Sequence, residues 1–214
     1  MKRGITACIM AAMCALAGAG VAFAQEQAQE NAALETLKAR QDIVEDAQTA
    51  LAEAPDDTAR KARLNRAIRE TFDFAKLAKE SLVDHWDEMT DEQKEEYVRL
   101  FKDLVEKSTV RKLKAYRAAG TEYTEVSSDT TNAVITTVVT STDGDEVAIQ
   151  YKLHKVDGRW WIWDTTIGLD IEITEYDVSS RDNYRSAFNR IISDDGIEGL
   201  LDKLREKHEG GNEL

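Results

Sequence analysis

Asp164 is the carboxylate in this sequence with the best case for acid–base chemistry. It closes the run Gly158-Arg159-Trp160-Trp161-Ile162-Trp163-Asp164. Counting along the strands places it beside Tyr151 on an apolar sheet face, where burial raises a carboxyl pKa. One reading is an Asp–Tyr pair working in a small pocket. The other is a buried Asp hydrogen-bonded to Tyr151 or to a backbone amide, the ordinary state of a buried polar group. His85, His154 and His208 lie far apart in the chain and none has ligand spacing, so they read as surface or satisfied residues. Asp143-Gly144-Asp145-Glu146 lacks the spacing of a calcium loop. The sequence holds no G-x-S-x-G, no H-E-x-x-H, no phosphate-cradling glycine loop and no dinucleotide fingerprint.

The elements that position Asp164 are three strands, near Thr131–Thr142, Asp145–Lys155 and Arg159–Ile167. Asp143-Gly144 and Asp157-Gly158 separate them, and Asp-Gly suits a two-residue type I′ turn. With both turns two residues long, Val138 faces Ile149, Thr136 faces Tyr151, Leu153 faces Ile162 and Tyr151 faces Asp164. One face then collects Val134, Val138, Val147, Ile149, Tyr151, Leu153, Trp160 and Ile162. The other carries Ile135, Val139, Trp161, Trp163 and Ile167 among polar residues. Two tryptophans on the second face imply that it too is partly covered.

Helices must supply the cover. Glu30–Ala54 reads as a helix with a thin stripe of Leu37, Val44 and Leu51, ended by Pro55. Asp56, Asp57 or Thr58 caps the next helix, which carries Leu64, Ala67 and Ile68 and runs to about Thr71. Phe72-Asp73-Phe74 opens a third, with Leu77, Ala78, Leu82 and Trp86 at helical spacing. Thr90-Asp91-Glu92-Gln93 is a capping box before a long helix that bears Tyr97, Leu100, Phe101 and Leu104 and runs to about Ala118, with a kink expected near Ser108-Thr109. Glu122–Ser127 alternates weakly, as a fourth, edge strand would. Leu169, Ile171 and Ile173 also alternate with polar residues. Tyr184–Ile192 reads as helix, Gly196 breaks it, and Ile197, Leu200, Leu201 and Leu204 make a last short helix before a fraying tail from His208.

Lys2 and Arg3, an Ala-rich apolar run and Ala22-Phe23-Ala24 make residues 1–24 a signal peptide, with the mature chain starting at Gln25. Both cysteines, Cys8 and Cys14, fall inside it, so the mature protein has no thiol chemistry. Residues 25–208 suit one domain, and 209–214 a flexible tail. Removing the signal takes the formal net charge from −13 to about −15. Such a chain is a poor partner for nucleic acid or anionic lipid surfaces, though it could dock on basic patches of other proteins.

The motifs then form an ordered series: Phe72-Asp73-Phe74, Ala78, Leu82, Trp86, Thr90, Gln93, Tyr97, Phe101, Leu104, Leu113 and Tyr116. Gly158 to Asp164 follows, then Tyr184-Arg185-Ser186-Ala187-Phe188, Ile192, Gly196, Leu200, Leu201 and Leu204. From Phe72 to Leu204 this resembles the MlaC, or toluene-tolerance, family of periplasmic phospholipid-binding proteins. It departs at Val83, where a small residue is usual, at Thr109, where an aromatic is usual, and in extra residues before Val178-Ser179.

The resemblance implies an α+β, NTF2-like or MlaC-like fold: a twisted antiparallel sheet of about four strands, packed against several helices around an apolar cavity. It implies a periplasmic phospholipid carrier rather than an enzyme, with no cofactor. The partners it implies are an outer-membrane lipoprotein complex and an inner-membrane MCE-type ABC transporter complex. Phe74, Leu77, Leu82, Leu100, Phe101, Leu104, Val138, Ile149, Tyr151 and Ile162 are then expected to line the cavity. Arg185 is expected near the lipid phosphate or, equally, in a surface ion pair. A diacyl lipid has on the order of 30 chain methylenes at about 0.8 kcal/mol each, so its chains need enclosure. Periodicity does not separate such a cavity from a solid core. The rivals are therefore a periplasmic binding or adaptor module with no lipid, and a small enzyme using Asp164 and Tyr151.

Overall fold

The structure, a computed structural model, describes residues 7–115, 118–141, 143–168, 170–174 and 177–210. Among them are five α-helices and one antiparallel sheet of four strands in the order β1-β2-β3-β4. This is the α+β architecture expected from the sequence.

Helix α1 (Ala7–Glu53) covers the expected Glu30–Ala54 helix up to Glu53 and continues N-terminal to it without a break. Pro55 follows it, and Asp57 caps α2 (Thr58–Arg69) by accepting from the Ala59 and Arg60 amides at 2.8 and 3.1 Å. Asp73 caps α3 (Phe74–Ser81) through the Lys76 amide at 2.9 Å. This helix is shorter than its apolar spacing suggests. The Ser81 hydroxyl donates back to the Leu77 carbonyl at 2.7 Å, a bond that competes with helix propagation. Leu82 leaves the helix at φ −119°, and Trp86 starts a separate 3₁₀ turn (Trp86–Glu88). The capping box before α4 (Asp91–Ala115) is formed: Thr90 N–H donates to Gln93 Oε1 at 2.9 Å, and Gln93 N–H to Thr90 Oγ1 at 3.2 Å. The expected C-terminal extension to Ala118 falls partly on residues 116–117, outside the described residues, and Ala118 itself starts β1.

The strands are β1 (Ala118–Ser128), β2 (Asn132–Ser141), β3 (Glu146–Val156) and β4 (Arg159–Ile167). The turn between β3 and β4 is the expected two-residue one, with Asp157 at φ 50° and Gly158 at φ 80°. The turn between β2 and β3 is not. Ser141 N–H donates to the Asp145 carbonyl at 2.8 Å, so the loop holds three residues, and Gly144 takes φ 90°. An odd loop shifts the register by one and turns every side chain of a strand to the opposite face. Ile135 therefore faces Tyr151, Thr137 faces Ile149 and Val138 faces Ala148. Ile135 and Val139 join the Tyr151 face, and Val138 leaves it.

A second shift lies in β4. Leu153 faces Ile162 as expected, but a bulge follows, so Asp164 faces Lys152 and Thr165 faces Tyr151. Asp164 thus lies on the opposite face from Tyr151. The alternation of Ile171 and Ile173 does not make a strand among the described residues, and Ile171 is half exposed. Leu169 lies outside them.

Helix α5 (Ser180–Gly210) bends at Gly196, which takes φ 70° and ψ −177°. It continues past His208, where fraying was expected, because His208 Nδ1 sits 2.7 Å from Asp103 Oδ2. Residues 211–214 of the expected tail lie outside the described residues.

Two apolar cores result. One is helical and includes Leu51, Leu64, Ile68, Leu77, Leu82, Tyr97, Leu100, Phe101, Phe188 and Leu201. The other packs Ala33 and Leu37 of α1 on Ala133, Ile135, Leu153, Trp160 and Ile162 of the sheet. Phe72 touches both. It sits in the α2–α3 connection, whose backbone bonds the edge of β4: Asp73 N–H donates to the Ile162 carbonyl at 2.7 Å, and Ile162 N–H to the Thr71 carbonyl at 3.1 Å.

Candidate functional site

A cleft of about 180 Å³ opens at the seam between the two cores. α1 contributes Arg40, Gln41, Val44, Glu45 and Gln48 to its wall, an i, i+1, i+4, i+5, i+8 stripe of one helix side. The end of α2 adds Ile68, and Thr71 and Phe72 follow it. The sheet floor is Val139, Ile149, Tyr151 and Ile162, flanked by Thr121 and by Thr109 of α4. The β2 register decides which valine joins this floor: an even turn would put Val138 where Val139 lies.

Eight of the fourteen lining residues carry polar groups, and several of these are tied, with the Thr71 and Thr109 hydroxyls donating to the Ala67 and Val105 carbonyls. Gln41 Nε2 donates to the Tyr151 hydroxyl at 3.2 Å, and Gln41 Oε1 accepts from the Tyr123 hydroxyl at 2.5 Å. One amide therefore links α1 to β3 and β1 over the cleft. Burial pushes the Tyr123 phenol up to about 12, aided by Tyr151, Asp42 and Glu45 nearby. Burial also raises Tyr151, although Gln41 and Thr137 oppose the shift. Glu45 is raised too, by burial and then by Asp42 and Asp46.

Of the residues expected to line one shared space, Ile149, Tyr151 and Ile162 come together in this cleft. Leu77, Leu82, Leu100 and Phe101 are buried in the helical core instead, with Leu104 packed against it and Phe74 within it. That core is filled by rings: Phe101 lies 5.5 Å from Tyr97, 4.9 Å from Tyr184 and 5.8 Å from Phe188, centroid to centroid. Val138 lies on the far face of the sheet. Arg185 makes a two-pronged contact with Asp84, at 2.8 and 2.7 Å, and Asn189 donates to the same carboxylate at 3.1 Å.

Asp164 is buried and fully engaged. It accepts from the Arg181 amide at 2.9 Å, the Thr165 amide at 3.0 Å and Lys152 Nζ at 3.1 Å. It holds the first turn of α5 onto β4, and the structure does not bring it to Tyr151. Among the described residues there is no group of three or more His, Cys, Asp or Glu able to hold a metal ion. Nor is any helix among them long and apolar enough to cross a membrane.

The α1 and α2 wall was not expected as lining. Its signal was the thin Leu37, Val44, Leu51 stripe, of which Val44 reaches the cleft.

The solved structure of the phospholipid-binding protein from Ralstonia solanacearum, in complex with a phospholipid, is similar to this chain. The TM-score is 0.70 at 22% identity, over 83% of this chain and 97% of that one. No curated protein matches the sequence. The family model described as MlaC protein matches residues 35–206, a span that takes in α2 to α4, all four strands and most of α5. The chain belongs to the MlaC protein family.

Proposed function

We propose that this protein binds phospholipid and carries it across the periplasm, with acyl chains in the cleft beneath α1. The observation that carries this reading is an apolar cleft placed between two separately packed cores. Its lid, α1, meets the sheet there through one glutamine amide. A packed seam would gain by closing fully, because unfilled apolar space forfeits dispersion contacts.

At about 180 Å³ the cleft is smaller than the 300–1,000 Å³ typical of ligand sites. Chains must widen it, and the element that yields in this reading is α1, which spans the cleft between its contact with the sheet at Leu37 and its contact with the helical core at Leu51. The small volume also favours the rival adaptor with no lipid. The donor and acceptor complexes are those of the family: an outer-membrane lipoprotein complex and an inner-membrane MCE-type ABC transporter. Catalysis is not part of this reading, since Asp164 and Tyr151 lie on opposite faces.

Mass spectrometry of protein purified under native conditions tests it. The expected result is phospholipid retained from the host in stoichiometric amount. Lipid-free protein that also takes none from vesicles would leave the adaptor.

A further inference from the structure

The cleft has two flanks of different charge. Toward β1 it merges with a polar recess that includes Lys38, Asp42 and Tyr123 and shares Gln41, Glu45 and Thr121 with it. The one cation there, Lys38, is paired with Glu35 at 3.2 Å and lies over the Tyr123 ring. Asp42 and Glu45 leave this flank negative, a poor place for an anion.

Toward α2 and β4 the wall carries Arg40, which lies near enough to Glu70 after α2 and to Arg159 of β4 for both to act on its charge. Arg40 is half-buried, and among the described residues its guanidinium has no hydrogen bond and no ion pair. Burial lowers its pKa, Arg159 lowers it further, and Glu70 acts against both without reaching it as an ion pair. Arg159 donates to the Glu70 carbonyl at 2.8 Å and lies 4.0 Å from the Trp161 ring centre, so it is fixed close by. A guanidinium partly out of water with its donors unused is costly unless an anion meets it. Its planar fork matches two phosphate oxygens.

We propose that Arg40 holds the phosphodiester of the bound lipid, so that the headgroup leaves the cleft on the Arg40 flank and not through the Lys38 recess. This rests on the carrier reading. Arg159 supports the site from its fixed position by adding positive potential.

The test compares two probes with the same chains: dioleoyl phosphatidylglycerol and dioleoylglycerol, which lacks the phosphate. Each is presented in vesicles to delipidated wild-type protein, Arg40→Ala, Arg40→Lys and Lys38→Ala. Arg40→Ala should weaken phosphatidylglycerol binding by about tenfold or more and leave dioleoylglycerol binding unchanged. Arg40→Lys should recover part of the loss, and Lys38→Ala should match wild type. Millimolar inorganic phosphate should not displace the lipid, because without chains the anion has Arg40 alone to hold it. Equal losses of both probes in Arg40→Ala would make Arg40 a structural residue and overturn the proposal. So would unchanged phosphatidylglycerol binding, a loss confined to Lys38→Ala, or displacement by free phosphate. Wild-type protein that takes up neither probe would instead sink the carrier reading, and the subsite with it.

Discussion

Gln41 of α1 donates to the Tyr151 hydroxyl of β3 at 3.2 Å, and its other amide atom accepts from Tyr123 of β1. Gln41→Ala removes the amide partner of two part-buried phenols, although Tyr151 keeps Thr137. The expected cost is about 1–2 kcal/mol in urea denaturation. If α1 is the element that yields to lipid, the same variant should exchange a fluorescent phospholipid with vesicles several-fold faster. An unchanged exchange rate at lowered stability would place the moving part elsewhere.

Tyr123 offers a pH test of its burial under α1. Its phenol ionises at about 12 in the folded protein, against about 10 when unfolded. The folded state favours the neutral form, so its contribution to stability is whole below pH 10. That contribution is lost as pH rises from about 10 to about 12. Ultraviolet titration of wild type and Tyr123→Phe should differ by one phenol ionising near the upper limit. A difference centred near pH 10 would mean that the Tyr123 phenol is not buried in solution.

His154 behaves in the opposite sense at acid pH. Burial lowers its pKa below 6.5, and Lys76 adds to this, while Asp73, 2.9 Å from Nε2, opposes both. The folded state favours neutral imidazole. Its contribution is therefore present above about pH 6.5 and declines as pH falls through the lower folded value. Asp73→Asn should lower the His154 pKa further, read from the ring C–H shifts by NMR. A His154 titrating above 6.5 in wild type would show that the ion pair outweighs burial.

The turn between β2 and β3 shows where sequence reasoning stops. Asp143-Gly144 and Asp157-Gly158 are the same dipeptide, yet only the second closes a two-residue turn. The Gly144 hairpin takes one more residue, and both Gly residues have positive φ, so composition does not separate the two cases. That one residue moved Val138 off the cleft and brought Val139 in. The bulge after Ile162 is equally silent in sequence, and it decides on which face Asp164 lies. The capping box at Thr90, the cap at Asp57 and the break at Gly196 were legible because each is local chemistry. Which apolar helix positions face a cleft and which a packed core is not local. Leu100 and Ile68 have the same character in sequence, and only the meeting of two cores at Phe72 distinguishes them.

Asp164 should prove structural. Asp164→Asn removes the charge facing Lys152 but keeps an acceptor for the Arg181 amide. The expected loss is about 1–3 kcal/mol in urea denaturation, with lipid per folded protein unchanged. Loss of lipid at unchanged stability would tie the α5 N-terminus to binding.

Ile149 and Phe101 separate cleft from core. Phe101 is fully buried among Tyr97, Tyr184 and Phe188, so Phe101→Ala should cost about 3–5 kcal/mol whether or not lipid is present. Ile149 lies on the cleft floor. In a filled core, Ile149→Trp would overpack and cost about 1–3 kcal/mol. Here the indole has the open side of the cleft to enter. The delipidated variant should therefore melt within a few degrees of delipidated wild type while carrying less phospholipid. Melting curves of delipidated protein and lipid counts by mass spectrometry are read together. A collapsed midpoint for Ile149→Trp, beside wild-type protein that carries no lipid, would mean that the seam under α1 is ordinary core.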